Sequence, residues 1–329
     1  MKNTIKKLFA VMMAIAMITV VFASCGTTGD DTTADGDKIY NVGICQLVQH
    51  EALDAATEGF KKALTDKLGD NVKFDEQNAS NEATNCTTIC GTFVSNKVDL
   101  IMANATPALT AAATATADIP IVATSVTDFA TALDIKDFEG ATGINVTGTA
   151  DLAPLDEQAN MIKELCPDAK TVGILYCSAE ANSKYQSDVI TGYLTELGFE
   201  VKEYTFTDSN DISSVTTTAA ENCDVIFAPT DNTVANNAEA IANVLEPAGV
   251  PLVAGESGIC KGCGIATLSI SYYDIGYKAG EMAYEILVNG ADAATMDIAY
   301  AQNPVKMYMA DRCAALDITV PDSYEAIAE

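Results

Sequence analysis

Ten cysteines and a single histidine are the residues of this 329-residue chain best suited to chemistry. Cys260 and Cys263 form CKGC in a glycine-rich stretch, and Cys86 and Cys90 stand one helical turn apart. The CxxC spacing leaves three readings open: a local disulfide, two free thiols, or half of a metal site completed by Cys86 and Cys90. A redox motif sits at a helix start after a strand, whereas CKGCG runs into the strand-like ATLSI, which argues against thioredoxin-like activity. Cys45, Cys177 and Cys223 lie in or beside apolar runs and read as small buried hydrophobes. His50 has no nucleophile partner nearby in sequence, and one histidine excludes zinc sites built on several imidazoles. No GxGxxG or Walker loop occurs, so no cofactor is expected. The polar residues of interest fall at the carboxyl ends of apolar runs: Gln46, His50, Thr106, Thr127, Asp128, Glu180, Asn182, Ser183, Asp231, Asn232 and Glu256. Thr106, Asp128, Asn182 and Asp231 also suit plain helix N-caps, worth about 1 kcal/mol each. Their recurrence in equivalent places favours a ligand site. Helix N-termini suit a carboxylate, and Asp231 and Glu256 suit an ammonium group.

The elements that must position these residues alternate strand and helix. Apolar runs at Ile39–Cys45, Val98–Ala103 and Pro120–Thr124 are separated by helical spacings over Leu53–Leu68, Glu82–Ser95 and Pro107–Ala117. The order then repeats: TVGILYC at 171–177, DVIFA at 224–228 and PLVA at 251–254 match the earlier VGIC, DLIMA and PIVA. Helices are expected at Asn182–Leu197, Ile212–Asn222 and Thr233–Glu246. The fold class is therefore α/β, with two doubly wound parallel-sheet lobes joined by a multi-strand hinge. A helix over Tyr273–Asn289 and a strand over Val305–Met309 follow, so the chain is expected to cross between lobes near 143–149, 269–272 and 299–302. The N-terminal lobe is expected at 39–146 plus 272–298 and the C-terminal lobe at 147–271 plus 299–329. Tyr272 is expected at the hinge or in the core.

The first 38 residues read as an address. Three lysines precede LFAVMMAIAMITVVF and then Ala23-Ser24-Cys25. That is a signal peptide over 1–24 with a small-residue cleavage site. FASC resembles a bacterial lipobox, with Phe22 where leucine is usual, and the resemblance makes Cys25 the lipidated residue. GTTGDDTTADGDK has almost nothing apolar and reads as a solvated tether over 25–38. A formal net charge of −28 opposes nucleic-acid binding. An extracytoplasmic body, anchored by lipid to the bacterial cell membrane, is the expected location.

Four segments carry a closer likeness: VGICQLVQHEALDAATEGFKKAL, NVTGTADLAPLDEQANMIKELCPDAKTVGILYCSAEANS, PTDN and ISYYDIGYKAGEMA. They resemble the ABC-importer substrate-binding lipoproteins of the tryptophan/tyrosine-uptake type. The resemblance implies a type I periplasmic-binding-protein fold that holds a small amino acid between the lobes without catalysis and delivers it to an ABC permease with a cytoplasmic ATPase. It implies ligand contacts from Gln46, His50, Thr106, Thr127, Asp128, Glu180, Asn182, Ser183, Asp231 and Asn232. Phe129 stands where the family often has proline, and is expected to stack on a ligand ring or shrink the pocket. A sensing role with a membrane signalling partner, or a nucleoside or sugar as ligand, are the alternative readings.

Overall fold

The computed structural model describes residues 38–328. The expected signal peptide, Cys25 and nearly all of the tether lie outside them. Chain order is β1 (Tyr40–Gln46), α1 (Glu51–Leu68), β2 (Val72–Asn78), α2 (Ala83–Asn96), β3 (Leu100–Asn104), α3 (Thr106–Ala115), β4 (Ile121–Val126), α4 (Phe129–Leu133) and β5 (Val146–Ala150). Then come α5 (Leu155–Leu165), β6 (Thr171–Cys177), α6 (Ala181–Glu196), β7 (Glu200–Phe206), α7 (Ile212–Asn222), β8 (Val225–Ala228), α8 (Asn232–Asn236), α9 (Ala238–Ala248), β9 (Leu252–Ala254), α10 (Ser257–Cys263) and β10 (Ala266–Ser269). The last elements are α11 (Tyr272–Asn289), β11 (Ala299–Tyr300), β12 (Val305–Tyr308), α12 (Ala310–Ala315) and β13 (Glu325–Ala326).

Two sheets result, in the orders β11-β5-β4-β3-β1-β2 and β13-β12-β10-β9-β8-β6-β7. The runs β2-β1-β3-β4-β5 and β7-β6-β8-β9-β10 have the same relative order and are parallel throughout. Parallel sheets are covered on both faces, so their central strands are apolar from end to end. LIMAN in β3 and VIFA in β8 are buried at every position. Phe93, Ile101 and Leu109 fill one face of the first sheet; Phe60, Met102 and Met282 fill the other. At the edge of the second sheet β12 pairs antiparallel with β10 and parallel with β13, so both run against the rest.

The chain passes from one sheet to the other after Ala150, after Ser269 and after Tyr300. Val146–Ala150 and β11 hydrogen-bond within the first sheet, so sheet membership changes a few residues later than the boundaries expected at 146 and 298. Ala153, Ile270, Tyr272 and Ile275 pack together at these passages with Ala52 and Ala56.

The structure corrects one expected helix and narrows the open readings of CKGC. The helix expected over Thr233–Glu246 is two helices, broken at Asn237, whose backbone leaves the helical region and whose Nδ2 donates to Thr233 O at 2.8 Å. The CKGC stretch is helical. Glu256 accepts from Gly258 N and Ile259 N at one end, while the Arg312 guanidinium takes the carbonyls of Cys260, Lys261, Gly262 and Gly264 at the other. A two-turn helix needs such external partners, because most of its end groups lack internal ones. Its thiols are not bridged, and all nine described cysteines are free. Cys260 and Cys263 belong to the core of the second lobe, Cys86 and Cys90 to that of the first. They cannot share a metal, and no group of three or more metal-ligating side chains occurs among the described residues. No described helix is long and apolar enough to cross a membrane.

Candidate functional site

The carboxyl ends of both sheets face one narrow cavity of about 10 Å³, room for roughly one water with the lobes this close together. From the first lobe it is lined by His50, Leu53, Ser125, Thr127 and Asp151. The second lobe supplies Asn182, Thr230, Asp231, Asn232, Ala235 and Glu256, and Tyr272 enters from the passage that starts α11.

The second-lobe wall is a hydrogen-bonded staple. The buried Glu180 carboxylate accepts from Asn182 Nδ2, from the backbone and side chain of Asn232, and from the backbone and hydroxyl of Thr233. It ties the start of α6 to the start of α8. Asp231 Oδ1 caps α8 by accepting from Val234 N at 2.8 Å. Its Oδ2 accepts from Cys177 N at 2.8 Å and Ser183 Oγ at 2.7 Å. Burial, and then the nearby Glu180 charge, push the Asp231 carboxyl well above the usual range. Burial also raises Glu256, with His50 pulling the other way.

The first-lobe wall is set by a second network. Thr57 Oγ1 donates to Gln46 Oε1 at 2.6 Å, and Gln46 Nε2 donates to Asp54 Oδ1 at 2.6 Å and Val48 O at 2.9 Å. Asn104 Nδ2 donates to Leu53 O and Thr57 Oγ1. These bonds fix the first turns of α1, which present His50 and Leu53. Ala105 and Ser125, neither of them glycine, have φ of 88° and 54° at the ends of β3 and β4. Such strain persists where the surroundings enforce it and concentrates at working sites. Ser125 Oγ and Asn182 Oδ1 are buried without a partner, and both residues line the cavity. Asp151 Oδ1 accepts from Thr127 Oγ1 at 3.1 Å and Oδ2 from Tyr272 OH at 3.0 Å. Burial, the largest influence, pushes its carboxyl up to about 6.

Side chains meet across the cleft. His50 Nε2 lies 3.2 Å from Asn232 Oδ1, Asn81 Nδ2 donates to Thr233 Oγ1 at 3.0 Å, and Lys261 pairs with Glu51 at 2.5 Å.

Of the residues singled out from sequence, His50, Thr127, Asn182, Asp231, Asn232, Glu256 and Tyr272 line the cavity. Glu180, Ser183 and Gln46 sit behind it, spent on the networks above. Thr106 is buried at the start of α3 with its hydroxyl unpartnered. Asp128 caps α4 by accepting from Thr131 N. Phe129 does not reach the cleft: it follows that cap and packs into the first-lobe core, 3% exposed. Leu53, Asp151 and Ala235 are absent from the expected site, and Ser125 and Thr230 enter it only as the first residues of the strand-end loops 125–129 and 230–233. Ser125 and Thr230 sit one or two residues from positions that were noticed, and the strand-end rule covers them. Asp151 lies in the family-like stretch NVTGTADLAPLDEQ, where nothing in its type or spacing marks it as a site residue.

The family described as ABC transporter substrate binding protein matches residues 41–329. The chain belongs to that family. Its members bind solute for ABC importers on the extracytoplasmic side. A tyrosine-binding protein of Clostridioides difficile is 37% identical over 291 residues, 87% of this chain and 84% of that protein. The crystal structure of a Streptococcus pneumonia ABC domain in complex with L-Trp superposes with a TM-score of 0.84 at 28% identity, over 88% of this chain and 100% of that one. A ligand-free, open substrate-binding protein with adhesive properties from Clostridium difficile gives a TM-score of 0.68 at 36% identity, over 88% and 99%. The lobe arrangement is thus nearer to the L-Trp complex than to the open structure of higher identity. More distant likenesses, such as a Thermotoga maritima leucine-binding protein (16% identity, TM-score 0.61), share the fold.

Proposed function

We propose that this protein captures an aromatic amino acid between its lobes and delivers it, without chemical change, to an ABC permease driven by a cytoplasmic ATPase. The observation that carries the reading is the cavity itself. It is enclosed by both lobes, lined by carboxylates, hydroxyls and amides, and borders no lysine or arginine. An ammonium group suits that wall. Ser125 Oγ, with Thr106 at the start of α3, suits the ligand carboxylate. Leu53, Ala235 and Tyr272 offer the apolar surface for a ring. The tyrosine-binding relative and the L-Trp complex support an aromatic ligand over a sugar or nucleoside.

A thermal-shift screen of residues 26–329 against all amino acids, with sugars and nucleosides as controls, tests it. Ligand at 100 times its Kd adds about 2.7 kcal/mol, so stabilisation by tyrosine or tryptophan alone is expected. A response to sugars alone overturns the reading. The lipid anchor belongs to the same proposal. Labelling of the full chain with radioactive palmitate is expected in the native protein and lost in Cys25→Ala.

A further inference from the structure

Three buried carboxylates border the cavity, and their hydrogen bonding separates them. Asp231 accepts from two backbone N–H groups and a hydroxyl. Glu256 accepts from two backbone N–H groups at the start of α10. These peptide N–H groups work against the burial that raises both carboxyls, and they occupy acceptor positions on each. The partners of Asp151 in other residues are two hydroxyls, Thr127 and Tyr272. Its own backbone N–H is a third donor, and a carboxylate has about four acceptor directions, so about one remains, on a residue that borders the cavity and is 4% exposed. The charges facing it are unfavourable. Glu256 stands opposite from the head of α10 and raises its carboxyl further. Asp231 lines the same space from the head of α8, and Tyr272 approaches from α11 as a neutral phenol. His50, at the head of α1, engages Asn232 and faces Glu256. Its neighbour Glu51 is paired with Lys261 on the rim. No cation is left over for Asp151.

We propose that Asp151 sets the requirement for a protonated amine: at mildly acid pH it keeps its carboxyl proton in the ligand-free protein, and the arriving ammonium group displaces that proton to solvent and takes its place, whereas at neutral pH the ammonium meets the carboxylate directly. The exchange balances. The protonated acid and R–NH₃⁺ give a carboxylate–ammonium pair and one H⁺ taken up by buffer, with no bond of the ligand altered. At mildly acid pH capture is therefore coupled to proton release. A ligand with the same ring and carboxylate but no amine leaves Asp151 unpaired. Sites built around a buried polar partner reject such analogues strongly.

The inference rests on the reading of the protein as an amino-acid binder, and calorimetry separates the two. L-tyrosine is titrated into the protein at pH 5, 6 and 7.5, each in two buffers of different ionisation enthalpy. Neither the carboxyl nor the amine of free tyrosine titrates in that range. Release of most of a proton at pH 5, about half at pH 6 and almost none at pH 7.5 is expected, with affinity about tenfold weaker at pH 5 than at pH 7.5. Asp151→Asn is expected to lose both the proton release and the pH slope, and 3-(4-hydroxyphenyl)propionate is expected to give no heat. Tyr272→Phe removes a donor to the carboxylate, so its half-release point moves to higher pH, which checks the idea if the Asn variant does not fold. Heats that are independent of buffer at pH 5, or release that survives Asp151→Asn and disappears in Glu256→Gln, overturn the assignment while leaving amino-acid binding intact. Absence of heat with both L-tyrosine and L-tryptophan overturns the functional reading and this one with it.

Discussion

Asp151 and Asp231 are both buried acids at the cleft, yet they affect stability differently. Asp151 has a folded pKa of about 6 against an ordinary 3.8. Between these values the folded state holds more protons than the unfolded chain. Stability from this group is therefore full below about pH 3.8, falls as pH rises to about 6 and is level above. The window spans about two units, or roughly 3 kcal/mol. Urea denaturation of the ligand-free protein at pH 4.5 and 7.5 checks it: Asp151→Asn is expected to gain on the native protein by a large part of that amount at the higher pH. A constant difference between the two proteins would remove the effect. Asp231 instead satisfies Cys177 N, Ser183 Oγ and Val234 N. Truncation to alanine orphans two buried N–H groups, at about 1–3 kcal/mol each. Asp231→Ala is expected to lower stability by about 2–3 kcal/mol without ligand. A loss of affinity in that variant would therefore not by itself identify a ligand contact.

At the scale of elements, α1 and α11 hold the two sides of the first-lobe wall through close backbone approach. A Cβ on Gly276 would stand 2.0 Å from Ala56 O, and one on Gly59 would stand 2.1 Å from Tyr273 O. Both obstacles are backbone, so neither yields by a rotamer change. Gly276→Ala must push the helices apart, at about 3 kcal/mol. Because α1 presents His50 and Leu53 and α11 presents Tyr272, ligand affinity should fall at least tenfold as well. Gly91→Ala in α2, where a Cβ meets nothing within 4 Å, should stabilise by about 0.5–1 kcal/mol. Denaturation curves of the two variants give the comparison; equal behaviour would mean the helix contact adapts freely. The strands behind this arrangement were legible because central parallel strands are continuous apolar runs, and TVGILYC, DVIFA and PLVA repeat their first-lobe counterparts. The helix Leu155–Leu165 escaped notice although Leu155, Ala159, Ile162 and Leu165 have helical spacing, because the segment was read only as part of a family motif. The break at Asn237 depends on one side chain taking a neighbour's carbonyl, which no periodicity reveals. Strand-end polar residues located the cleft. Which of them face it is a matter of side-chain direction: Glu180 and Gln46 turn into networks, Phe129 into the core. Asp151 gains its character only from burial beside Tyr272 and Glu256.

At the scale of the whole molecule, side-chain contacts that include Lys261–Glu51, Asn81–Thr233 and His50–Asn232 join the lobes besides the three chain passages. Lys261–Glu51 is exposed, with side chains 39% and 56% accessible, and such pairs contribute about 0–1 kcal/mol and weaken with salt. Asn81–Thr233 and His50–Asn232 are side-chain hydrogen bonds of about 0.5–1.5 kcal/mol each. Together they amount to a few kcal/mol, too little to hold the lobes shut by themselves and small beside a bound ligand bridging both walls. The ligand-free protein should therefore scatter X-rays as an open form and contract on addition of L-tyrosine. Removing two of the contacts in Asn81→Ala/Lys261→Ala removes closing energy of about 1–2 kcal/mol, a five- to thirtyfold loss of affinity. Neither residue lines the cavity, and encounter with the open cleft does not involve the contacts they make. The loss should thus appear in the off-rate, with the on-rate nearly unchanged. Stopped-flow measurement of both rates decides it. An unchanged off-rate would place the whole closing energy in the ligand's own contacts, and a slower on-rate would mean that the lobes meet before the ligand is seated.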